Sequence, residues 1–529
     1  MLLVIVLSIP KVQTYIATKV TDNLNETYGT DINIDRLGLN WKGEVDIRGV
    51  YIADHHQDTL IYAKALQTNI INFRNLIKGD LGFGNIILDQ AKLYVTTYQG
   101  EEDDNLYVFS EKFNTGQTSE NPFSLFSNDV TLTNSVVKIT DQNLENPEIL
   151  ILDKVNLIAN DFKITGPNID SEIQSLSLEA QRGFIIRDLQ ADFSYSLEAL
   201  QLNDLNLKTT ASTIQGSVVL NYEDGKIGND FENTVGINAI FNESVVGTND
   251  LNSFYDEFAP NMEISLDGTM TGVLNNFTFD DLNLQTDGIS MRGDYEFQNL
   301  LAPEEEYSIR ARGHRIVANY YDLRRFMPRI LGDVLPNELK DLGSVTFTGN
   351  TTITTTELTT DSRIDTQAGN AVTDLSMGNI NNFDNAFYNG SVVFNGFNLG
   401  KVLGTPTLGK LTADLTFDGR GFSQNTVDTQ INGTISSFNV EGYDYKNIVV
   451  SGNLKNPIFN GDLTIDDPNL KMEFTGLVDV SKDFNQYDFE ADIEYAELNK
   501  LNLIKRDSVS VFAGRVVMDM DGTTIDNAV

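Results

Sequence analysis

The strictest constraint on this chain is an alternation of period two that recurs from residue 31 almost to the end. Leu411, Ala413, Leu415 and Phe417 are apolar, while Thr412, Asp414, Thr416 and Asp418 between them are polar. Tyr487, Phe489, Ala491, Ile493 and Tyr495 alternate with Asp488, Glu490, Asp492 and Glu494. Shorter copies are Met262, Ile264 and Leu266; Val345 and Phe347; Leu470, Met472 and Phe474; and Val516, Met518 and Met520. Successive side chains of a strand point to opposite faces, so each segment predicts one apolar and one polar face. Buried strands of parallel α/β proteins are apolar throughout and are separated by long helical patterns, neither of which occurs here. The expected fold is mainly β, with half-buried sheet.

A helical period is confined to short pieces. Val12, Tyr15, Ile16, Val20, Leu24 and Tyr28 fall on one stripe of an amphipathic helix, and Gly29 stands where a C-terminal cap belongs. Residues 251–258, 319–331 (interrupted at Pro328) and 498–503 read as the other helical stretches. Punctuation is otherwise Asp267-Gly268, Asp418-Gly419, Asn432-Gly433, Asn460-Gly461 and Asp521-Gly522. Such pairs supply the positive φ of tight hairpins, which predicts turns there between antiparallel strands. Residues 264–268, 345–349, 415–419 and 518–522 share one shape, an alternating strand closing on glycine. Their spacing is too loose for a propeller or a leucine-rich solenoid and fits an elongated sheet extended by similar strand groups.

Charge and composition remove several functions. Lys and Arg number 37 against 76 Asp and Glu, a net charge of −39, which repels phosphate backbones and excludes nucleic acid as a partner. With no cysteine there are no disulfides, thiolate ligands or thiol nucleophiles. Of three histidines, His55 and His56 read as an exposed pair in a turn and His314 stands apart, so neither a zinc site nor a relay triad is expected. Residues 516–523 resemble the first signature of haloacid-dehalogenase-like phosphatases. By that analogy Asp519 would be the nucleophile and Asp521 the general acid/base. The parallel α/β domain this chemistry needs does not follow, and the matching strand carries Thr416 in place of the first aspartate, so the motif reads as one copy of the structural repeat. Residues 81–85 lack the third glycine of a dinucleotide loop, and Glu101 to Asp104 read as a solvated loop. No catalytic residue, cofactor or metal is expected.

At the amino end, residues 1–9 are an apolar run closed by Pro10. As a helix they would rise about 14 Å, whereas a bilayer core needs about 20 residues. The run reads as the end of a transmembrane segment whose beginning lies outside this chain. Residues 523–529 likewise read as a cut end.

The helix over residues 12–28, the strand-like 30–37 and the phrase Gly43-Glu-Val-Asp-Ile-Arg-Gly-Val-Tyr-Ile-Ala-Asp54 resemble the start of AsmA-like and TamB-like envelope proteins. The resemblance continues through residues 413–419, 442–452, 459–469 and 474–476, which look like the TamB-like proteins of Bacteroidetes-type bacteria. It implies an inner-membrane anchor, a periplasmic β-structure with a hydrophobic groove, and a role in outer-membrane biogenesis through phospholipid transport or outer-membrane protein assembly. The carboxyl-terminal family domain that would contact an outer-membrane barrel partner is not in this chain.

Two packed sheets or one long sheet folded over on itself would each bury the apolar face. The reading adopted is the second: an elongated, curved antiparallel sheet forming a U-shaped, β-taco-like groove for phospholipid acyl chains. Its expected lining is the set of apolar strand positions named above, Ala491 excepted. The expected divisions are an anchor and lead-in helix over 1–29, a first part of the groove over 30–258, and repeated strand groups over 259–529. The runner-up is a scaffold for assembling outer-membrane β-barrels and autotransporters. A surface sandwich array and the phosphatase are the remaining rivals.

Overall fold

The computed structural model describes residues 10–39, 44–70, 80–113, 123–223, 230–301, 305–329, 335, 337–382, 384–421, 426–455, 458–479, 485–504, 506 and 509–521. The apolar run 1–9, Leu331, Gly522 and residues 523–529 lie outside them. The chain is mainly β, as the alternation predicts, and divides into two units, Met1–Phe277 and Thr278–Val529.

The first unit holds strands β1 (Asp31–Leu39), β2 (Glu44–Ala53), β3 (Thr59–Ile70), β4 (Asp80–Thr97), β5 (Ser124–Asp141), β6 (Glu148–Thr165), β7 (Asn168–Ala180), β8 (Ile185–Tyr195), β9 (Ala199–Thr209), β10 (Thr213–Asn221), β11 (Gly236–Gly247) and β12 (Glu263–Val273). Its helices are α1 (Pro10–Tyr28), α2 (Asn105–Glu111), α3 (Phe231–Thr234) and α4 (Thr248–Leu251). Each strand pairs with its sequence neighbours, and all pairs are antiparallel except β4 with β5. A parallel pair needs a crossover of a dozen or more residues, and the long connection carrying α2 supplies it. The expectation of antiparallel pairing fails at that one pair.

β13 (Asn276–Thr286) spans the division. The second unit continues with β14 (Ile289–Gln298), β15 (Ser308–Asn319), β16 (Ser344–Thr354), β17 (Glu357–Thr366), β18 (Gly369–Gly378), β19 (Phe387–Asn398), β20 (Leu408–Arg420), β21 (Asp428–Val440), β22 (Tyr443–Lys455), β23 (Ile458–Asp467), β24 (Leu470–Asp479), β25 (Gln486–Glu497) and β26 (Val511–Asp521). Helices α5 (Tyr320–Phe326) and α6 (Leu399–Leu403) interrupt it. From β14 to β26 every pair of consecutive strands is antiparallel.

α1 ends as its sequence predicts. Gly29 has φ of 65° and its N–H reaches the Asn25 carbonyl at 2.9 Å. Asn25 then ties the helix to β1, its Oδ1 accepting from the Ile32 N–H at 2.9 Å. Leu24 is buried, but Tyr15 of the expected stripe is exposed, and Gln13 and Thr21 are buried instead. Of the other expected helices, 251–258 keeps only the last residue of α4 and 319–331 contracts to α5, while 498–503 is a turn. α2 was not legible as an apolar stripe; it is set by Asp104, whose carboxylate accepts from the Tyr107 N–H at 2.8 Å.

The expected Asn-Gly and Asp-Gly hairpins are a correction. Asp267-Gly268, Asp418-Gly419, Asn432-Gly433 and Asn460-Gly461 all lie inside strands, and Asp521 is the last residue of β26. Gly433 shows the physical reason: at φ of 147° a Cβ would stand 2.1 Å from the Asp414 carbonyl oxygen. Glycine is there because a neighbouring backbone approaches too closely for a side chain, not because the chain reverses.

Candidate functional site, the apolar face

In the second unit, strand register converts the sequence alternation into rows of side chains crossing the sheet. One row runs Phe394, Ala413, Ile435, Ile448, Ile465, Met472, Ile493, each directly opposite the next. Beside it run Val392, Leu415, Gly433, Val450, Leu463, Phe474, Ala491 and Val516. A third row places Phe417 and Ile431 on one side of Gly452, Gly461 and Gly476, with Phe489 and Met518 on the other. The glycines leave room for a neighbouring ring: Phe459 lies over Gly452, 3.0 Å from where a Cβ would stand, and its ring is 6.3 Å from that of Phe474, which in turn is 5.2 Å from Phe489.

The expected lining residues that lie on strands fall on the apolar side except Tyr495, which a bulge in β25 places opposite Lys471 on the polar side while its neighbour Ala496 takes the buried place beside Leu470. Ile264, Leu411, Ala413, Leu415 and Leu470 are buried. Met262, Leu266, Val345, Phe347, Phe417, Met472, Phe474, Tyr487, Phe489, Ile493, Tyr495, Val516, Met518 and Met520 are half-buried. Ile264 and Leu266 sit on β12 of the first unit, with Met262 just before it, and the rest lie in the second unit. The opposite side is polar and paired, with Lys471 to Glu494 at 2.8 Å and Arg515 to Glu490 at 2.6 Å.

Half-burial of large apolar side chains is informative. Between two packed sheets, Phe and Met on the inner faces interdigitate with the opposing layer and are enclosed. Here the strand residues of each apolar cluster come from consecutive strands of one sheet, β19 to β23 around Leu415, β21 to β25 around Ile448 and Ile465, and β6 to β10 around Leu189 in the first unit, with no residue from an opposing sheet in these clusters. Same-row and adjacent-row neighbours provide the burial.

One end of the face in the second unit is plugged. Leu399 of α6 packs on the Leu415 cluster, and Leu501, 1 % exposed in the turn after β25, packs on the Ile448 cluster. At the same end the Tyr443 hydroxyl donates to the Asp467 carboxylate and accepts from Asn469 Nδ2 at 2.9 Å. Burial and that carboxylate push the Tyr443 hydroxyl up to about 12, so it stays protonated and donating.

Toward β15 the face changes chemistry, which the alternation did not reveal. His314 Nε2 lies 2.9 Å from Thr351 Oγ1, Thr351 Oγ1 lies 2.9 Å from Thr360 Oγ1, and Thr360 bonds Ser362. His314, Thr360, Ser362 and Thr373 are all buried. These hydroxyls form a polar belt on the same side of the sheet as the apolar rows. The signal was present in Leu358-x-Thr360-x-Ser362-x-Ile364, whose ends are apolar at the right period.

The tempting catalytic motif takes a different place. Asp519 is exposed on β26, opposite Asp488 in antiparallel register. Residues 81–85 are part of strand β4. Among the described residues no helix is long and apolar enough to cross a membrane. No family model matches the chain, and a search of curated proteins finds no match.

Proposed function

We propose that this is a non-enzymatic β-groove protein that shields phospholipid acyl chains on their way between membranes of a bacterial envelope, anchored at the inner membrane by its amino end. The observation that supports it most is the continuous apolar face of β19 to β26, whose phenylalanines and methionines stay half-exposed. Each methylene laid on such a face contributes up to about 0.8 kcal/mol as far as it is withdrawn from water, and the contributions add along an acyl chain. A single-sheet face of this kind suits a ligand that slides along it. The resemblance to AsmA-like and TamB-like proteins supports the same reading and the envelope location.

The test is site-specific photo-crosslinking in cells. Probes at Leu415, Phe417, Phe489 and Ile493 are expected to capture phospholipid, and probes at Thr416, Asp418, Glu490 and Glu494 are not. Capture at neither set removes lipid carriage. A second reading, a scaffold for assembling outer-membrane β-barrel proteins, draws on the same resemblance and on Val511 and Val517, which are exposed on β26. Crosslinks from Val517 to unfolded barrel protein, with none to lipid from the apolar rows, would favour that reading.

A further inference from the structure

Away from the apolar face, the first unit brings together two histidines and a carboxylate. The turn over residues 54–58 joins β2 to β3 and lies against the segment that follows β4. His55 Nε2 stands 2.8 Å from Glu101 Oε2, and His56 Nε2 stands 2.6 Å from Glu101 Oε1. The three donor groups lie within 4.8 Å of one another.

The surroundings hold these groups in place. Asp54, 2 % exposed, accepts the N–H groups of His56 and Asp58 on Oδ1, both at 2.9 Å. Its Oδ2 accepts from the Tyr98 hydroxyl at 2.6 Å and from Asn105 Nδ2 at 2.7 Å. The Tyr98 ring lies 3.9 Å from that of His56 and meets His55 edge-on at 5.7 Å. On the other side, Asn143 Nδ2 donates to the Glu101 carbonyl at 2.9 Å. Both imidazoles and the glutamate are therefore positioned by a buried carboxylate, a stacked ring and a backbone tie, a degree of support that a casual surface contact lacks.

We propose that His55, His56 and Glu101 bind one divalent transition-metal ion of the Zn2+ class, with further coordination left to water. Two imidazoles and one carboxylate suit zinc and its neighbours, whereas Mg2+ and Ca2+ prefer all-oxygen shells. Tetrahedral ligands at zinc distances stand about 3.3 Å apart, so the two His–Glu contacts, at 2.8 and 2.6 Å, need to open by only about 0.5–0.7 Å. The bound ion ties the β2–β3 turn to the segment after β4, which are 46 positions apart in the chain at His55 and Glu101.

The experiment is calorimetric titration of the full chain with ZnCl2 in excess Mg2+, which occupies the many surface carboxylates. One saturable Zn2+ per chain is expected, weakened by at least about tenfold in His56→Ala and in Glu101→Gln and unchanged in His314→Ala. Circular dichroism establishes that each variant folds. X-ray absorption of the zinc-loaded parent is independent of any variant, and two imidazole nitrogens at about 2.0–2.1 Å are expected. An all-oxygen shell, equal binding by His56→Ala and the parent, or no saturable binding by the parent would each overturn the proposal.

Discussion

One row of facing residues in the second unit can be followed from end to end, and its two halves differ. From β15 to β18 it reads His314, Gly349, Ser362, Thr373. From β19 to β26 it continues as Val392, Leu415, Gly433, Val450, Leu463, Phe474, Ala491 and Val516. Backbone geometry is shared by both halves, so the contrast isolates what side-chain chemistry adds to one sheet. The second half is held by apolar contact, which is indifferent to direction and can be shared with a sliding ligand. The first half is held by hydroxyl bonds at fixed distances, His314 to Thr351 and Thr351 to Thr360 across strands and Thr360 to Ser362 along β17, while the buried Thr373 hydroxyl is left without a partner among the described residues. The polar half is thereby suited to holding the sheet's shape and the apolar half to carrying a cargo.

The largest effect that would sharpen this contrast comes from charging the apolar half. Leu415 is 7 % exposed, and Leu415→Asp removes its burial and places a carboxylate among Ala413, Val450 and Phe417. A loss of at least about 3 kcal/mol is expected, read as a lower urea midpoint by far-ultraviolet circular dichroism. Thr416→Asp, one residue along on the exposed side, is expected to stay within about 0.5 kcal/mol of the parent. Similar losses at both positions would mean that the two faces are not distinct.

The shared backbone gives the next test. A Cβ on Gly433 would meet the Asp414 carbonyl oxygen at 2.1 Å, and one on Gly349 would meet that of Asp361 at 2.2 Å, both glycines having φ near the same positive value (147° and 145°). Gly433→Ala and Gly349→Ala are each expected to cost about 1–3 kcal/mol from the backbone alone, by equal amounts in thermal or urea unfolding. A large inequality would break the claim that the halves share one backbone.

A smaller effect belongs to the belt alone. Thr360 bonds Thr351, Ser362 and the Asn350 carbonyl, so Thr360→Val leaves buried hydroxyls short of a partner at a cost of about 1–2 kcal/mol. Combining it with Ser362→Ala is expected to cost less than the sum of the two, because each change removes the other's unsatisfied group. Additive costs in a double-mutant cycle would show that the belt is not a network.

These particular residues also show how much of the fold the sequence carried. Alternation at 411–417 and 487–493 identified the strands and the buried side, because apolar side chains can be buried without a partner. Tyr495 was misplaced because a bulge after Ile493 reverses the sides, which alternation alone does not reveal. Thr360 and Ser362 were illegible, since a hydroxyl is compatible with either face until strand register supplies its partner. Asn432-Gly433 misled because positive φ serves a tight turn and a close backbone approach equally well, and only the neighbouring strand distinguishes them. His55, His56 and Glu101 were seen as unrelated features because the contact joins two connections that are distant in sequence.

The least change comes from proton uptake at the end of the belt. His314 is 1 % exposed, and burial holds its imidazole below the ordinary value, against an opposing bond to the Phe347 backbone. A buried neutral ring resists protonation, whereas the same ring in the unfolded chain takes up a proton near its ordinary value. Its contribution to stability is therefore complete above about pH 6.5 and is lost as pH falls below that toward the folded-state value. His314→Gln keeps a polar side chain near Thr351 but cannot titrate. The difference in urea midpoint between parent and variant is expected to shift in favour of the variant between about pH 7.5 and 5.5, the carboxylates common to both cancelling. A difference that stays flat over that range would mean that the ring is solvated or charged, and that the polar half of the row is open to water rather than closed by its own hydroxyls.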